Sequence, residues 1–515
     1  MMASDSDMKS RRKQAAHRRR RLIFNNDNEE RRKLRRVPGP ITPQVFLEAD
    51  TIGIAGSHVD TISYCDGHGF GLFTHRSDVT EVYVDPNGVS KALHELGTDP
   101  LQVMVDFCRA SGLEIFWSFR MNDPHDSWRP EQLPHFKKDH PEFLFGTKED
   151  PPPRGAWSGV DYARPAVRDW GLQAIRDTFE HYDVDGVEFD FFRVPTCFKK
   201  LAWGEPIGQA ERDLMTDFLA QARRIIDGVA AKRDKPLLIA VRVPDSTAYC
   251  EALGLDLTRW LADDLIDLMI VGGYFWLEPW SVSVELGHRH GVPVYPSLDG
   301  SRVGAPIGRT RLGMEISHTR RSREAYRAHA LNVWRAGVDG VYLFNLHFRH
   351  NPTDAFWHEL GDAQVLAPLD KLYHVSVMGK GWDPLDYYLP HGNEFMRLPT
   401  LCPDHPVKLA PGATHNTSMT VGDNFSATSS SGPVLKLNVR VEDLHEVGQL
   451  VVMLNGERLA YCVPTLAGEI YEQWHECPVD ARQVRQGDNE IALSLDQAAA
   501  GACIVHDVQL SVKYA

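Results

Sequence analysis

The stretch "VDGVEFDFFRVP", residues 184–195, decides how this 515-residue chain is read. Val187, Phe189 and Phe191 form an apolar run, and Glu188 and Asp190 interrupt it. Side chains alternate along a strand, so the two carboxylates share one face. An unpartnered carboxylate is costly to bury. The strand therefore needs either structural partners for its acids or a reactive site at its end.

Working outward, the same signature recurs: a helical stretch, a Gly, then a short apolar run. It appears as "CRASGLEIFWSF" (108–119), "HRHGVPVYPSL" (288–298) and "RAGVDGVYLFNLHF" (335–348). Gly suits the left-handed position that closes a helix, and the run after it suits a buried parallel strand. Amphipathic stretches such as "PAVRDWGLQAIRDTFEHY" (165–182) lie between. Strands are expected at 22–26, 61–65, 114–119, 185–192, 237–243, 266–275, 292–298 and 340–347. Eight strands alternating with helices predict an α/β chain folded as a (β/α)8 TIM barrel with long βα-loop insertions. "VDGVEFDFFR" and "VDGVYLFNLHFR" become strands four and eight, half a barrel apart. An open doubly wound sheet is the alternative, but no Gly-rich dinucleotide loop follows the first strand.

Past residue 400, "KLNVRVED" and "NEIALSL" alternate apolar and polar residues between turn signals, which predicts a small antiparallel β-sandwich. The expected organisation is a disordered basic arm at 1–20, a barrel at 21–362, a linker or packing segment at 363–399 and a sandwich at 400–515.

Charge narrows the partners. The first 36 residues carry 13 Lys/Arg and 5 Asp/Glu, a net of +8, so the remainder carries −14 − 8 = −22. An acidic body argues against nucleic acid as a partner. No run of 18 apolar residues is present, so no membrane partner is expected. The N-terminus has no apolar signal core, so the expected location is the cytoplasm. The eight cysteines show no paired metal spacing and are expected to be free, buried thiols in a reducing compartment.

Charged residues gather where the barrel strands should end. Strand three brings Arg120, Asn122, Asp123 and His125; strand four brings Glu188, Asp190 and Arg193. Strand five brings Arg242 and Asp245, strand six Tyr274 and Glu278. Strand seven brings Asp299, and strand eight Asn345 and His347. Trp128, Trp157, Trp276 and Trp280 add ring platforms. Paired carboxylates beside aromatic faces are what cleavage of a sugar chain requires: one carboxyl protonates the leaving oxygen, another serves as nucleophile or base. The catalytic candidates are Asp190, Glu278, Asp299 and Asp245. The substrate-binding candidates are Arg120, Asn122, Asp123, His125, Trp128, Glu188, Arg193, Arg242, Tyr274, Trp276, Asn345 and His347. Structural readings stand beside several of these: Glu188 as a buried pair with Arg120 or Arg242, Asp245 as a helix N-cap, and Asp299 as a turn residue.

"DGVEFDFFR" resembles the fourth-strand signatures of barrel glycoside hydrolases. It is similar to the alpha-amylase "G-x-R-x-D" strand, which puts Asp190 at the nucleophile position, and to the chitinase "DGxDxDxE" strand. With "IFWSFRMND" it looks most like glycosyl-hydrolase-like barrels related to family ten, over roughly residues 22–360. The amylase Arg is replaced here by Glu188 and the terminal chitinase acid by Phe192, so the resemblance supplies no proton donor. "LNGERLAYCV" and "VRQGDNEIALSL" look like the jelly-roll modules that accompany glycosidases. The resemblance implies hydrolysis of a carbohydrate substrate without cofactor or metal. Two rivals remain: a metal-dependent hydrolase using Asp123, His125, Asp190 and His347, and a non-catalytic carbohydrate-binding protein.

Overall fold

Eight parallel strands close on themselves in the computed structural model of the chain. It describes residues 5–34, 39–67, 70–83, 88–299, 320, 322–344, 355–376, 384–425, 432–460, 463–466 and 472–514. The barrel strands are β1 (Leu22–Asn26), β2 (Val59–Tyr64), β3 (Glu114–Arg120), β4 (Gly186–Asp190), β5 (Leu238–Val243), β6 (Leu268–Val271), β7 (Val294–Asp299) and β8 (Val341–Phe344). Their spatial order, β1-β8-β7-β6-β5-β4-β3-β2, is the sequential order of a (β/α)8 barrel.

The strands β3, β4, β7 and β8 form within the four stretches that carry the helix–Gly–apolar signature. The helix Pro100–Ser111 ends at Gly112, whose φ of +69° is the left-handed cap that lets the chain turn into β3. At the head of β4, a Cβ on Gly186 would lie 2.4 Å from the Phe116 ring and 2.5 Å from the Leu238 carbonyl. No other residue fits between the flanking strands. β4 stops at Asp190 rather than reaching residue 192, as the sequence suggested. Asp190 Oδ1 accepts from the backbone N–H groups of Phe192 and Arg193, at 2.9 and 3.0 Å, and this turns the chain out of the sheet.

The chain clusters into two compact units. The first comprises Met1–Leu298, Val338–Trp357 and Asp383–Met396; the second comprises Asp299–Gly337, His358–Trp382 and Arg397–Ala515. The second unit contains two antiparallel sheets. One orders β9 (Lys371–His374), β18 (Cys503–Lys513), β12 (Val434–Glu442), β16 (Glu472–Val479) and β15 (Val463–Leu466), with β10 (Val407–Leu409) also paired to β18. The other orders β11 (Thr414–Val421), β17 (Gly487–Leu495), β13 (Leu450–Leu454) and β14 (Glu457–Arg458). Leu435, Leu437, Val439 and Val441 alternate into the core of this unit, as the period-two pattern requires. The 363–399 segment is more than a linker, because β9 lies within it and pairs with β18 from Lys371↔Val512 to His374↔Gln509.

Two further expectations are corrected. Within the basic arm, expected to be disordered, Asp5–Ala16 is an α-helix. Its cations find carboxylates within the same unit. Arg12 bonds Asp264 at 2.6 Å and lies 3.4 Å from Asp267, and Lys9 reaches Asp264 at 2.9 Å. Arg20, fully buried, grips Glu114 with two nitrogens at 2.6 and 2.8 Å, and Thr61 donates to the same carboxylate. Lys9, Arg12 and Arg20 of the arm are thus paired within the chain. Among the cysteines, Cys65, Cys108, Cys197, Cys250, Cys402 and Cys503 are free and buried as expected. Cys477 is disulfide-bonded, and its partner lies outside the described residues.

Candidate active site

At the C-terminal end of the barrel, strand register sets Arg120, Asp190 and Arg242 side by side on β3, β4 and β5. Parallel neighbours in register point the same way, so these three form one row of charge on three adjacent strands. Arg242 Nη1 donates to Asp190 Oδ2 at 2.9 Å, and both side chains are buried. The ring of Phe344 covers the guanidinium at 3.8 Å from its carbon, and those of Phe192 and Tyr342 lie 5.5 and 5.6 Å away.

Glu188 lies two residues deeper on the same face of β4. It pairs with neither Arg120 nor Arg242, contrary to the sequence reading. Three hydroxyls hold it instead: Ser63 at 2.6 Å, Ser118 at 2.8 Å and Tyr342 at 3.1 Å. Burial first, and then the charge of Asp190, push its carboxyl up to about 7, against the pull of those serines and of Arg242. Ser63, Ser118 and Tyr342 went unnoticed in the sequence. The pairing of polar Thr61 with Ser63, two apart in an apolar strand, is the same signal that Glu188 and Asp190 give.

Arg120 turns the other way, to Asp27 past the end of β1 at 2.6 Å and to Asp123 at 2.8 Å. Asp123 also receives the Nδ1 proton of His125. Burial would raise the Asp123 carboxyl, but His125 and Arg120 hold it well below the usual carboxylate range. Arg193 donates to His125 Nε2 at 2.9 Å. A guanidinium has no acceptor, so Nε2 must accept and Nδ1 must carry the proton. Arg193 also donates to the Tyr274 hydroxyl. Asp27, Arg120, Asp123, His125, Arg193 and Tyr274 thus form one connected polar network from four strand ends. Trp128 stands beside it with 75% of its surface exposed, its ring edge-on to His125 at 5.4 Å.

Asn122 is not available to a ligand. Its amide donates to the carbonyls of Val160 and Thr196 and accepts from the Val160 N–H, which ties down the long third loop. Asp245 is not the N-cap of the helix Thr247–Leu253, a role Ser246 fills. Asp245 accepts instead from the backbone N–H groups of Leu277 and Glu278, at 2.9 and 3.0 Å. Burial pushes its carboxyl up to about 7, against those two bonds. Glu278, half-buried, is therefore fixed at its backbone on the loop after β6. On the same loop Trp276 packs edge-to-face with Trp280, 5.0 Å between centroids. Trp157 donates to the Ser127 carbonyl at 3.2 Å.

Asp299 ends β7, but its side chain, like Asn345 and His347, lies outside the described residues. Among the described residues, the one group of three potential metal-ligand side chains is Asp78, Asp177 and His181. It includes none of the proposed ligands Asp123, His125 and Asp190.

No family model matches the chain, and no curated protein sequence matches it. Solved structures do align with it. A cycloisomaltooligosaccharide glucanotransferase from Paenibacillus sp. aligns at 10% identity and a TM-score of 0.32, over 96% of this chain and 57% of that one. The chain thus spans little more than half of that structure. The PgaB (BpsB) glycoside hydrolase domain from Bordetella bronchiseptica aligns at 12% identity and a TM-score of 0.41, over 67% of this chain and 98% of that one. A family 18 chitinase from Chromobacterium violaceum aligns at 11% identity and a TM-score of 0.37, over 97% and 89%.

Proposed function

We propose that the chain is a glycoside hydrolase that cuts an oligo- or polysaccharide at the C-terminal mouth of its barrel. The observation that carries this reading is the placement of two carboxyls at that face: Asp190, anchored on β4 by Arg242, and Glu278, half-buried on the loop after β6. Asp190 is the carboxylate that faces the anomeric carbon. Glu278 gives its proton to the leaving oxygen, with its backbone steadied by Asp245. Trp128 and Trp276 offer faces for sugar rings to pack on. The test is hydrolysis of a panel of chromogenic and oligomeric glycosides by the wild type, Asp190→Asn and Glu278→Gln. General acid and nucleophile roles are worth factors of about 10²–10⁴ or more. Turnover in both variants within a few-fold of wild type removes these carboxyls from the reaction.

A second reading has its own support. Asp190 is only 1% exposed, and both of its oxygens accept hydrogen bonds. A non-catalytic carbohydrate-binding barrel fits that burial. It requires glycan binding without turnover, unchanged in Asp190→Asn.

A further inference from the structure

Among the described residues, most of the hydrogen-bonding capacity of the buried Arg242 is unused: Nη1 has a partner, Asp190, and Nε and Nη2 have none. Buried donors without acceptors are rare in folded proteins and cost free energy each time they occur. Nε and Nη2 lie on one edge of the guanidinium, the two-pronged edge whose parallel N–H groups match the oxygens of a carboxylate. Residue 273 adds no side chain to that edge. A Cβ on Gly273, just past the end of β6, would lie 2.8 Å from Nη2 and 2.2 Å from the Phe192 ring. One further arginine shares this pattern. Arg120, one place beyond Asp190 in the row, also leaves its Nε without a partner among the described residues.

We infer that the saccharide taken at this mouth carries a carboxylate, as a uronic-acid unit does, and that this group docks on the Nε–Nη2 edge of Arg242. The inference rests on the reading that the barrel mouth is where a saccharide binds. A neutral sugar hydroxyl would satisfy one donor at a time. A carboxylate satisfies both and brings the negative charge that matches a guanidinium. Lys at this position would keep the charge but lose the fork.

The test has a binding arm and a turnover arm on the full chain. In the binding arm, thermal unfolding and calorimetry compare sodium glucuronate and galacturonate with glucose and galactose. At least one uronate is expected to bind at least tenfold tighter than its neutral counterpart, and Arg242→Lys is expected to lose that preference. Equal binding of neutral and acidic sugars, no binding of either uronate, or a preference retained in Arg242→Lys overturns the inference. If Arg242→Lys does not fold, the wild-type comparison alone decides. In the turnover arm, nitrophenyl hexuronides are set against the matching hexosides. Cleavage of hexosides but not hexuronides overturns the inference and leaves the hydrolase reading standing. Uronate binding with no cleavage of any glycoside supports the inference and overturns the hydrolase reading.

Discussion

Glu188 and Asp190 share one face of β4, two residues apart, yet of the two only Asp190 bonds a guanidinium. Arg242 Nη1 meets Asp190 at 2.9 Å, whereas Glu188 rests on the hydroxyls of Ser63, Ser118 and Tyr342. The two acids therefore respond differently to losing their charge. Asp190→Asn strands a buried guanidinium, and breaking a buried pair costs about 3–5 kcal/mol. Glu188→Gln keeps the shape and an acceptor for the hydroxyls, and is expected to cost no more than about 1 kcal/mol. Urea unfolding of both variants measures this. A Glu188→Gln protein less stable than Asp190→Asn would invert the assignment.

Stability should also depend on pH through Glu188. Its folded carboxyl sits at about 7, above its usual value near 4.5, so the folded state holds the proton more tightly. The stabilisation from that proton is complete below about pH 4.5 and is lost as pH rises through 7. Asp245 acts in the same direction. Melting temperature measured from pH 5 to 8 should show a falling contribution that Glu188→Gln abolishes. An unchanged pH slope in that variant would show that Glu188 does not titrate in this range.

Within the second unit the sign is opposite. His329 and His374 lie buried, 6.2 Å apart between ring centroids, and the Arg320 guanidinium, held by Asp507, adds its charge. Burial, reinforced by Arg320, lowers His329 to about 3 and holds His374 well below the usual imidazole value. Their contribution is full above about pH 6.5 and declines as pH falls toward the folded values. Limited proteolysis should therefore cut residues 397–515 faster at pH 5 than at pH 7. His374→Asn should move the onset to lower pH, and no such shift would clear this histidine of the effect.

How far the sequence reached follows from the range of each interaction. The barrel strands were legible because their signals are local: a Gly that ends a helix and an apolar run after it, as at Gly112 and β3. The row Arg120–Asp190–Arg242 was half legible. The residues were singled out, but which cation meets which acid is set by strand register and by rotamers, and a sequence carries neither. The partners of Glu188 were beyond reach, since Ser63 and Tyr342 stand 125 and 154 residues away in the chain. The arm was misread because its helix has no apolar stripe; ion pairs to Asp264 and Asp267 hold it instead.

That arm supplies another expectation. Arg20 is fully buried against Glu114, and Thr61 completes the carboxylate's bonding. Arg20→Ala leaves Glu114 buried without its cation, at a cost of about 3–5 kcal/mol. Deleting residues 1–20 should cost at least as much, because it also removes the partners of Asp264. Chemical denaturation of both proteins reads the loss. Wild-type stability in the deletion would mean that the helix adds nothing to the barrel.

The last expectation separates support from chemistry. Asp245 touches the loop backbone at Leu277 and Glu278, through N–H groups that both need an acceptor. Asp245 Oδ2 accepts both bonds, so Asn can keep them with its single oxygen, whereas Asp245→Ala removes every acceptor and leaves both backbone N–H groups without one. The loop that carries Glu278 then shifts while the Glu278 carboxyl stays in the protein. If Glu278 is the proton donor, displacing it by about 1 Å is enough for a loss of order 10² in kcat, with KM little changed. Glu278→Gln removes the proton itself and should lose as much or more. The two variants part company on a substrate whose leaving group needs no protonation, such as an activated aryl glycoside. There Glu278→Gln should recover much of its rate, whereas Asp245→Ala recovers only what the misplaced acid had cost. Recovery in neither variant would assign the loss to substrate binding on this loop rather than to proton transfer.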